Sequence, residues 1–312
     1  MRIIFFGTST FGIASLDALR RSTHQILSIV TTLDKPKGRH LKLKASPIKN
    51  WAQLHDFPYV EVSRKNIPRL SSMIRSLEAD LLIVISFGLI LPKDLIESPK
   101  LMTINVHSSL LPKYRGAAPI HWALMNGDAE TGVTIMRMVE KLDAGDILLQ
   151  KKTTIETEDD ILSLDSRLSQ LGADALLEAI QRLEHGTITF IPQDEAQSTT
   201  ARKILKEDGH IEWNRPALQV VHWIRALKNW PKSFNFYGGK RILVLDAEVT
   251  PEENRNRFSP GTITHLSQGV GIEVAAADRL VRIKTIQLEG KKPLSASEFL
   301  KGFAMSEDQV LE

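Results

Sequence analysis

Residues 81–107 read LLIVISFGLILPKDLIESPKLMTINVH. Two apolar runs, residues 81–88 and 101–106, show no polar alternation. Each therefore reads as a strand buried on both faces, the kind found in a parallel sheet covered by helices. The first run ends at Gly88 and passes into a short apolar loop that reaches Pro92. The second ends in Asn105-Val106-His107. Side chains two apart in a strand share a face, so Asn105 and His107 point the same way. They sit at the carboxyl end of the strand, where open α/β sheets hold ligands.

The pattern extends in both directions. RIIFFG (residues 2–7) is a strand broken by Gly7. Ile13, Leu16 and Leu19 then fall on one helix face, and QILSIVTT (residues 25–32) is a second strand. Ser46-Pro47 has the form of a helix cap followed by proline at the first helical position. PRLSSMIRSLEAD is helical, and APIHWALMNG is a helix ending at Gly127. TGVTIMRMV and GDILLQKKTTI form a strand pair. A long helix follows, opened by a Thr157-x-x-Asp160 capping pattern and closed by Gly186. Alternating strands and helices predict an α/β domain over residues 1–189, with a Rossmann-like, mostly parallel sheet carrying helices on both faces. Periodicity is lost after Gly186, and residues 190–206 read as a linker. Residues 207–312 hold one helical stretch and short β-rich runs punctuated by Gly and Pro, which favours a small β-barrel or sandwich.

Composition excludes some chemistry. The chain of 312 residues contains no cysteine, which removes disulfides and thiolate catalysis. The apolar start is too short for a secretory signal and no run approaches a membrane span, so the expectation is a cytoplasmic protein with no membrane partner. The GTSTFG turn lacks the spacing of a dinucleotide or P-loop motif. No H-E-x-x-H is present, and no metal is expected. The net charge is only +3, but Lys35, Lys37, Arg39, Lys42, Lys44 and Lys49 gather against the single acid Asp34. Such a cluster suits a polyanion, although the run by itself reads first as a solvated lysine-rich loop.

Three stretches can carry chemistry. An amide and an imidazole side by side, as at Asn105 and His107, can donate hydrogen bonds to one developing oxyanion. The pair is also compatible with a histidine satisfied by a backbone carbonyl and an asparagine that forms a turn. Asp143 and Asp146 flank Ala144-Gly145, a tight bend that can return a carboxylate toward the ligand end of the sheet or form a plain Asx-turn. SFGLILP (residues 86–92) can offer backbone groups to a flat heteroaromatic ring, or pack as an ordinary loop.

Taken together, INVHSSLLPKYRGAAPI followed by DAGD resembles the signature of the 10-formyltetrahydrofolate-dependent formyltransferase family. FFGTSTFG, DKPKGRHLKLKASPIK, SFGLILP, GDAETGVTIMRM, RKILKEDGHIEWN, IRALKNWP and LEGKKPLSASEFLKG narrow the resemblance to the members that formylate methionyl-tRNA. These motifs span nearly the whole chain in order. The chain departs from the family pattern at Ser9, at Ser86-Phe87-Gly88, in residues 228–233 and in VEKLDAGD. The resemblance implies transfer of a formyl group from 10-formyltetrahydrofolate, as co-substrate, to initiator methionyl-tRNA by a monomeric enzyme without metal. It implies a catalytic trio of Asn105, His107 and Asp143. A folate pocket would be lined by Ser109, Leu110, Leu111 and Pro112 with Phe87, Gly88, Leu89 and Ile90. Lys37, Arg39, Lys42 and Lys44 would contact tRNA, and the C-terminal domain would be an oligonucleotide-binding-type (OB-like) barrel that also grips it. Rival readings are a formate-releasing hydrolase, a formyltransferase acting on a sugar nucleotide or glycinamide ribonucleotide, and a non-catalytic RNA-binding protein.

Overall fold

The computed structural model describes residues 1–37, 42–255, 257–267, 269 and 271–312. The chain divides into two compact units. The first comprises Met1–Pro119, Glu130–Thr154 and Asp165–Ala201, and the second Ile120–Ala129, Ile155–Leu164 and Arg202–Glu312.

The strands of the first unit are β1 (Arg2–Gly7), β2 (Gln25–Thr32), β3 (Lys35–Lys37), β4 (Lys42–Lys44), β5 (Tyr59–Val62), β6 (Leu81–Ile85), β7 (Met102–His107), β8 (Arg115–Gly116), β9 (Glu130–Arg137), β10 (Ile147–Thr154) and β11 (Thr200–Ala201). Seven of them form one sheet in the order β10-β9-β7-β6-β1-β2-β5. The five strands from β7 to β5 run parallel, whereas β9 and β10 are antiparallel and finish one edge. The sheet is thus parallel with an antiparallel hairpin added, because the short link between β9 and β10 can only reverse the chain.

Alternate residues of the central strands feed two cores. Ile4, Phe6, Leu82 and Val84 join Leu70 and Ile74 of the helix Leu70–Ser76 and Leu95 of the helix Lys93–Ile96. Phe5 and Ile85, of opposite parity, lie with Ile48 around Gly12, which precedes helix Ile13–Arg21. Helix Pro47–Leu54 is capped as its sequence predicts, with Ser46 Oγ accepting the Lys49 N–H at 2.9 Å. The long helix Ile161–Glu184 corrects one expectation. Its cap is Asp160, not Thr157: Asp160 Oδ1 accepts the N–H groups of Leu162 and Ser163, and the Ser163 hydroxyl accepts the Asp160 N–H in return. Asp160 immediately precedes the first helical residue, so only its carboxylate reaches the unpaired first-turn donors.

In the second unit an antiparallel sheet runs β12 (Ser233–Tyr237), β13 (Lys240–Glu253), β16 (Arg279–Leu288), β15 (Gly271–Ala275), β14 (Ile263–Ser267), with β17 (Leu294–Ser295) paired to β16. The last residues close it. Phe236 of β12 exchanges two backbone hydrogen bonds with Glu312, while Gly261 and Ile263, at the start of β14, bond Leu311, Gln309 and Asp308. The tail is therefore a stave between the first and last strands, and the sheet becomes a barrel. Helix Ala217–Ala226 packs Val220, Val221 and Ile224 into its core, which also holds Leu311.

Candidate active site

The carboxyl ends of β6 and β7 point the same way because the two strands are parallel, so the loops that follow them leave one edge of the sheet. From β7 come Asn105, half-buried, and His107, buried. Among the described residues the Asn105 side chain has no hydrogen-bond partner. His107 is held: its Nε2 lies 2.9 Å from the carbonyl oxygen of Tyr114, so Nε2 carries the proton and donates. The reading of a histidine satisfied by a backbone carbonyl therefore holds for one ring nitrogen.

The other nitrogen faces Asp143. His107 Nδ1 and Asp143 Oδ2 are 3.7 Å apart, and both side chains are buried. Asp143 lies in the connection from β9 to β10 with a left-handed backbone, φ 49°. The bend depends on Gly145, where a Cβ would come within 1.8 Å of the Arg137 carbonyl oxygen. Asp143 Oδ2 also accepts the N–H of Gly116 at 2.8 Å. The structure thus brings His107 and Asp143 of the sequence-predicted trio together, with one tether each from the chain around Arg115 to the imidazole and to the carboxylate, and sets Asn105 two residues from His107 on the same strand.

The segment after β7 is rigidly built. Thr134 Oγ1 donates to the Ser109 carbonyl and accepts the Leu111 N–H, and Gln150 Nε2 donates to the Leu111 carbonyl at 2.8 Å. The Ser109 hydroxyl donates to the Lys113 carbonyl at 2.6 Å and is fully buried, so it is spent within the loop. Leu111 packs with Met136 and Ile147. In the loop after β6, Phe87 sits edge-on to Phe6 with ring centroids 5.3 Å apart, whereas Ile90 is 89% exposed. An exposed isoleucine beside the carboxyl edge of the sheet suits an apolar ligand surface.

Of the basic residues, Arg39 lies outside the described residues. Lys37 and Lys42 pair across the hairpin of β3 and β4, as do Lys35 and Lys44. The lysines therefore stand on a two-stranded ribbon and not on an irregular loop. Lys49 does not join them. Asp34 and Glu61, each 3.0 Å from its ammonium, hold it protonated and offset its charge.

Sequence reasoning passed over Arg115 and Gln193. Arg115 stood inside the quoted motif, but Gln193 lies in an aperiodic stretch that carried no signal. Among the described residues no group of three or more His, Asp or Glu side chains is placed to hold a metal ion, and no helix is long and apolar enough to cross a membrane.

Residues 1–180 match the model described as formyl transferase, and residues 203–304 match that of the formyl transferase C-terminal domain. The chain belongs to the formyl transferase family. It is 38% identical over 313 residues to the methionyl-tRNA formyltransferase of Sulfurihydrogenibium sp., covering 100% of both chains. It is 40% identical over 311 residues to that of Citrifermentans bemidjiense, covering 100% of this chain and 96% of the other. Among solved structures, HypX from Aquifex aeolicus in complex with tetrahydrofolic acid superposes with TM-score 0.65 at 20% identity, over 97% of this chain and 48% of HypX. An N-formyltransferase from Helicobacter canadensis, bound to folinic acid and dTDP-3-aminofucose, superposes with TM-score 0.65 at 16% identity, over 90% of this chain and 98% of the other. These two share the fold.

Proposed function

We infer that this chain transfers the formyl group of 10-formyltetrahydrofolate to the α-amino group of initiator methionyl-tRNA, giving N-formylmethionyl-tRNA for translation initiation. The observation that carries the reading is the 3.7 Å approach of His107 to Asp143, with Asn105 two residues away on the same strand, in a chain related over its full length to enzymes named for that reaction. The neutral amine attacks the formyl carbon, a C–N bond forms and the carbonyl oxygen becomes an oxyanion. The free Asn105 amide donates to that oxyanion. With Nε2 fixed on Tyr114, His107 presents Nδ1 toward the reacting centre. Asp143, directly or through a water, helps the amine proton reach N10 of the departing folate as the second C–N bond breaks.

Ser109, Leu110, Leu111 and Pro112 form one wall of the folate pocket in this reading, the first of them through its backbone. Phe87, Gly88, Leu89 and Ile90 form another. Lys37, Arg39, Lys42 and Lys44 meet tRNA phosphates, and the barrel, as the C-terminal domain, adds to that grip. In this reading the enzyme works as a monomer, and a role in initiation belongs to the cytoplasm. The test is turnover of the purified chain with methionyl-tRNA and 10-formyltetrahydrofolate. Formylmethionyl-tRNA and tetrahydrofolate should appear in equal amounts, with little formate when tRNA is omitted. Rapid formate release independent of tRNA would instead identify a hydrolase.

A further inference from the structure

The turn that carries Asp143 is clamped from outside by a side chain that takes no part in the trio. Gln193 Nε2 donates to two carbonyls of the turn, Asp143 O at 2.9 Å and Gly145 O at 2.7 Å. The Oε1 of the same amide accepts from Arg115 Nε at 3.0 Å and Nη2 at 2.8 Å. The remaining arm of the buried Arg115 guanidinium, Nη1, reaches both carboxylate oxygens of Glu195 at 3.0 Å. Glu195 also binds Lys141, two residues before Asp143, at 2.8 Å. The result is a closed ring from Lys141 through Glu195, Arg115 and Gln193 back to the Asp143 turn.

Arg115 is the centre of this ring and of the trio's tethers. The residue before it, Tyr114, gives its carbonyl to His107, and the residue after it, Gly116, gives its N–H to Asp143. Movement of the guanidinium would therefore shift the imidazole and the carboxylate together. The Asp143 backbone is left-handed, a conformation that a non-glycine residue keeps only when its surroundings impose it. Gln193 supplies that constraint.

We propose that Gln193, locked by Arg115, is a positioning residue that holds Asp143 at its working distance from His107. The proposal rests on the catalytic reading of Asp143 given above. Its consequence is a coupling: removing the Gln193 amide harms turnover only while Asp143 is present to be misplaced. A displacement of about 1 Å at a reacting group can cost on the order of 100-fold in rate.

The experiment is a double-mutant cycle on the full chain, with kcat and KM for both substrates, using Gln193→Ala, Asp143→Ala and the pair. Gln193→Ala should lower kcat about 10- to 100-fold, leave KM for the folate within about twofold, and change kcat less than about twofold in the Asp143→Ala background. Equal losses in both backgrounds would overturn the proposal and mark a general packing role. If Gln193→Ala fails to fold, Gln193→Glu replaces it in the same cycle. That variant keeps an acceptor for Arg115, removes the donor to the turn carbonyls and sets a carboxylate oxygen against them. An Asp143→Ala enzyme with near-normal turnover would show instead that the catalytic reading had failed, and the positioning role with it.

Discussion

Asn105 and His107 leave the same face of β7, yet only His107 is tied to the protein, through Nε2 and the Tyr114 carbonyl. The Asn105 amide has no partner among the described residues. A half-buried amide without a protein partner contributes little to folding and is free to meet a substrate oxygen.

Asn105→Ala should therefore lose turnover without losing the fold. The loss expected for an oxyanion donor is about 100- to 1000-fold in kcat. The unfolding free energy should move by about 1 kcal/mol or less, because no intramolecular hydrogen bond is removed. Steady-state kinetics alongside urea unfolding reads both quantities, and binding of a folate analogue should stay within about twofold. Retained turnover would remove Asn105 from the mechanism.

The hairpin of β3 and β4 sets Lys37 opposite Lys42 and Lys35 opposite Lys44. Four lysines on one short ribbon make a basic cluster of the kind that suits a polyanion. Lys42→Ala and Lys44→Ala should raise KM for tRNA and leave KM for the folate unchanged. Removing one lysine–phosphate pair should flatten the plot of log affinity against log salt by about 0.7 to 0.9. Titration of tRNA binding across salt concentrations measures this slope, and an unaltered slope would return these lysines to solvent.

How the sequence was legible follows from the physics of each signal. The buried strands β1, β6 and β7 were plain because continuous apolar runs have few other readings. The strand Tyr59–Val62 at the sheet edge and the strand Ser233–Tyr237 in the barrel were not, since each has four or five residues and weak alternation. Asn105 and His107 were found because period two puts them on one face. Asp143 was found as a turn, and the resemblance supplied its role. Gln193 was out of reach, because its importance comes from two carbonyls supplied by residues some 50 positions earlier. No local pattern encodes a contact of that span. The barrel's closure by its tail was hidden for the same reason.

Glu195 gives the clamp a pH signature. Hydrogen bonds from Arg115, and then Lys141, hold its carboxyl down to about 2 from an ordinary 4.5. A depressed carboxyl adds stability that is fully present above its unfolded value and is lost as pH falls through the folded one. The melting temperatures of the wild type and Glu195→Gln should therefore differ by a constant amount above pH about 5 and converge between about 4.5 and 2. Because Glu195 is exposed, added salt should narrow the gap at neutral pH. Parallel curves across the acid range would mean that the ion pair does not form in solution.

Leu311 tests the barrel closure. Its side chain is 4% exposed and belongs to the barrel core, while its N–H donates to the Gly261 carbonyl at 2.9 Å. Truncation to alanine keeps the backbone bonds of the tail but opens a cavity where the first and last strands are joined. The expected cost is about 2–5 kcal/mol, as for a buried leucine in any well-packed core. Denaturant unfolding gives the cost, and the NMR resonance of the Trp213 indole N–H reads it locally, because Trp213 shares that core and its indole N–H donates to Asn235 Oδ1 at 2.9 Å. Asn235 Nδ2 in turn donates to the Glu312 carbonyl at 3.1 Å, so loosening of the tail reaches the indole through one side chain. A variant as stable as the wild type, with an unchanged Trp213 signal, would mean that the tail lies on the barrel without sealing it.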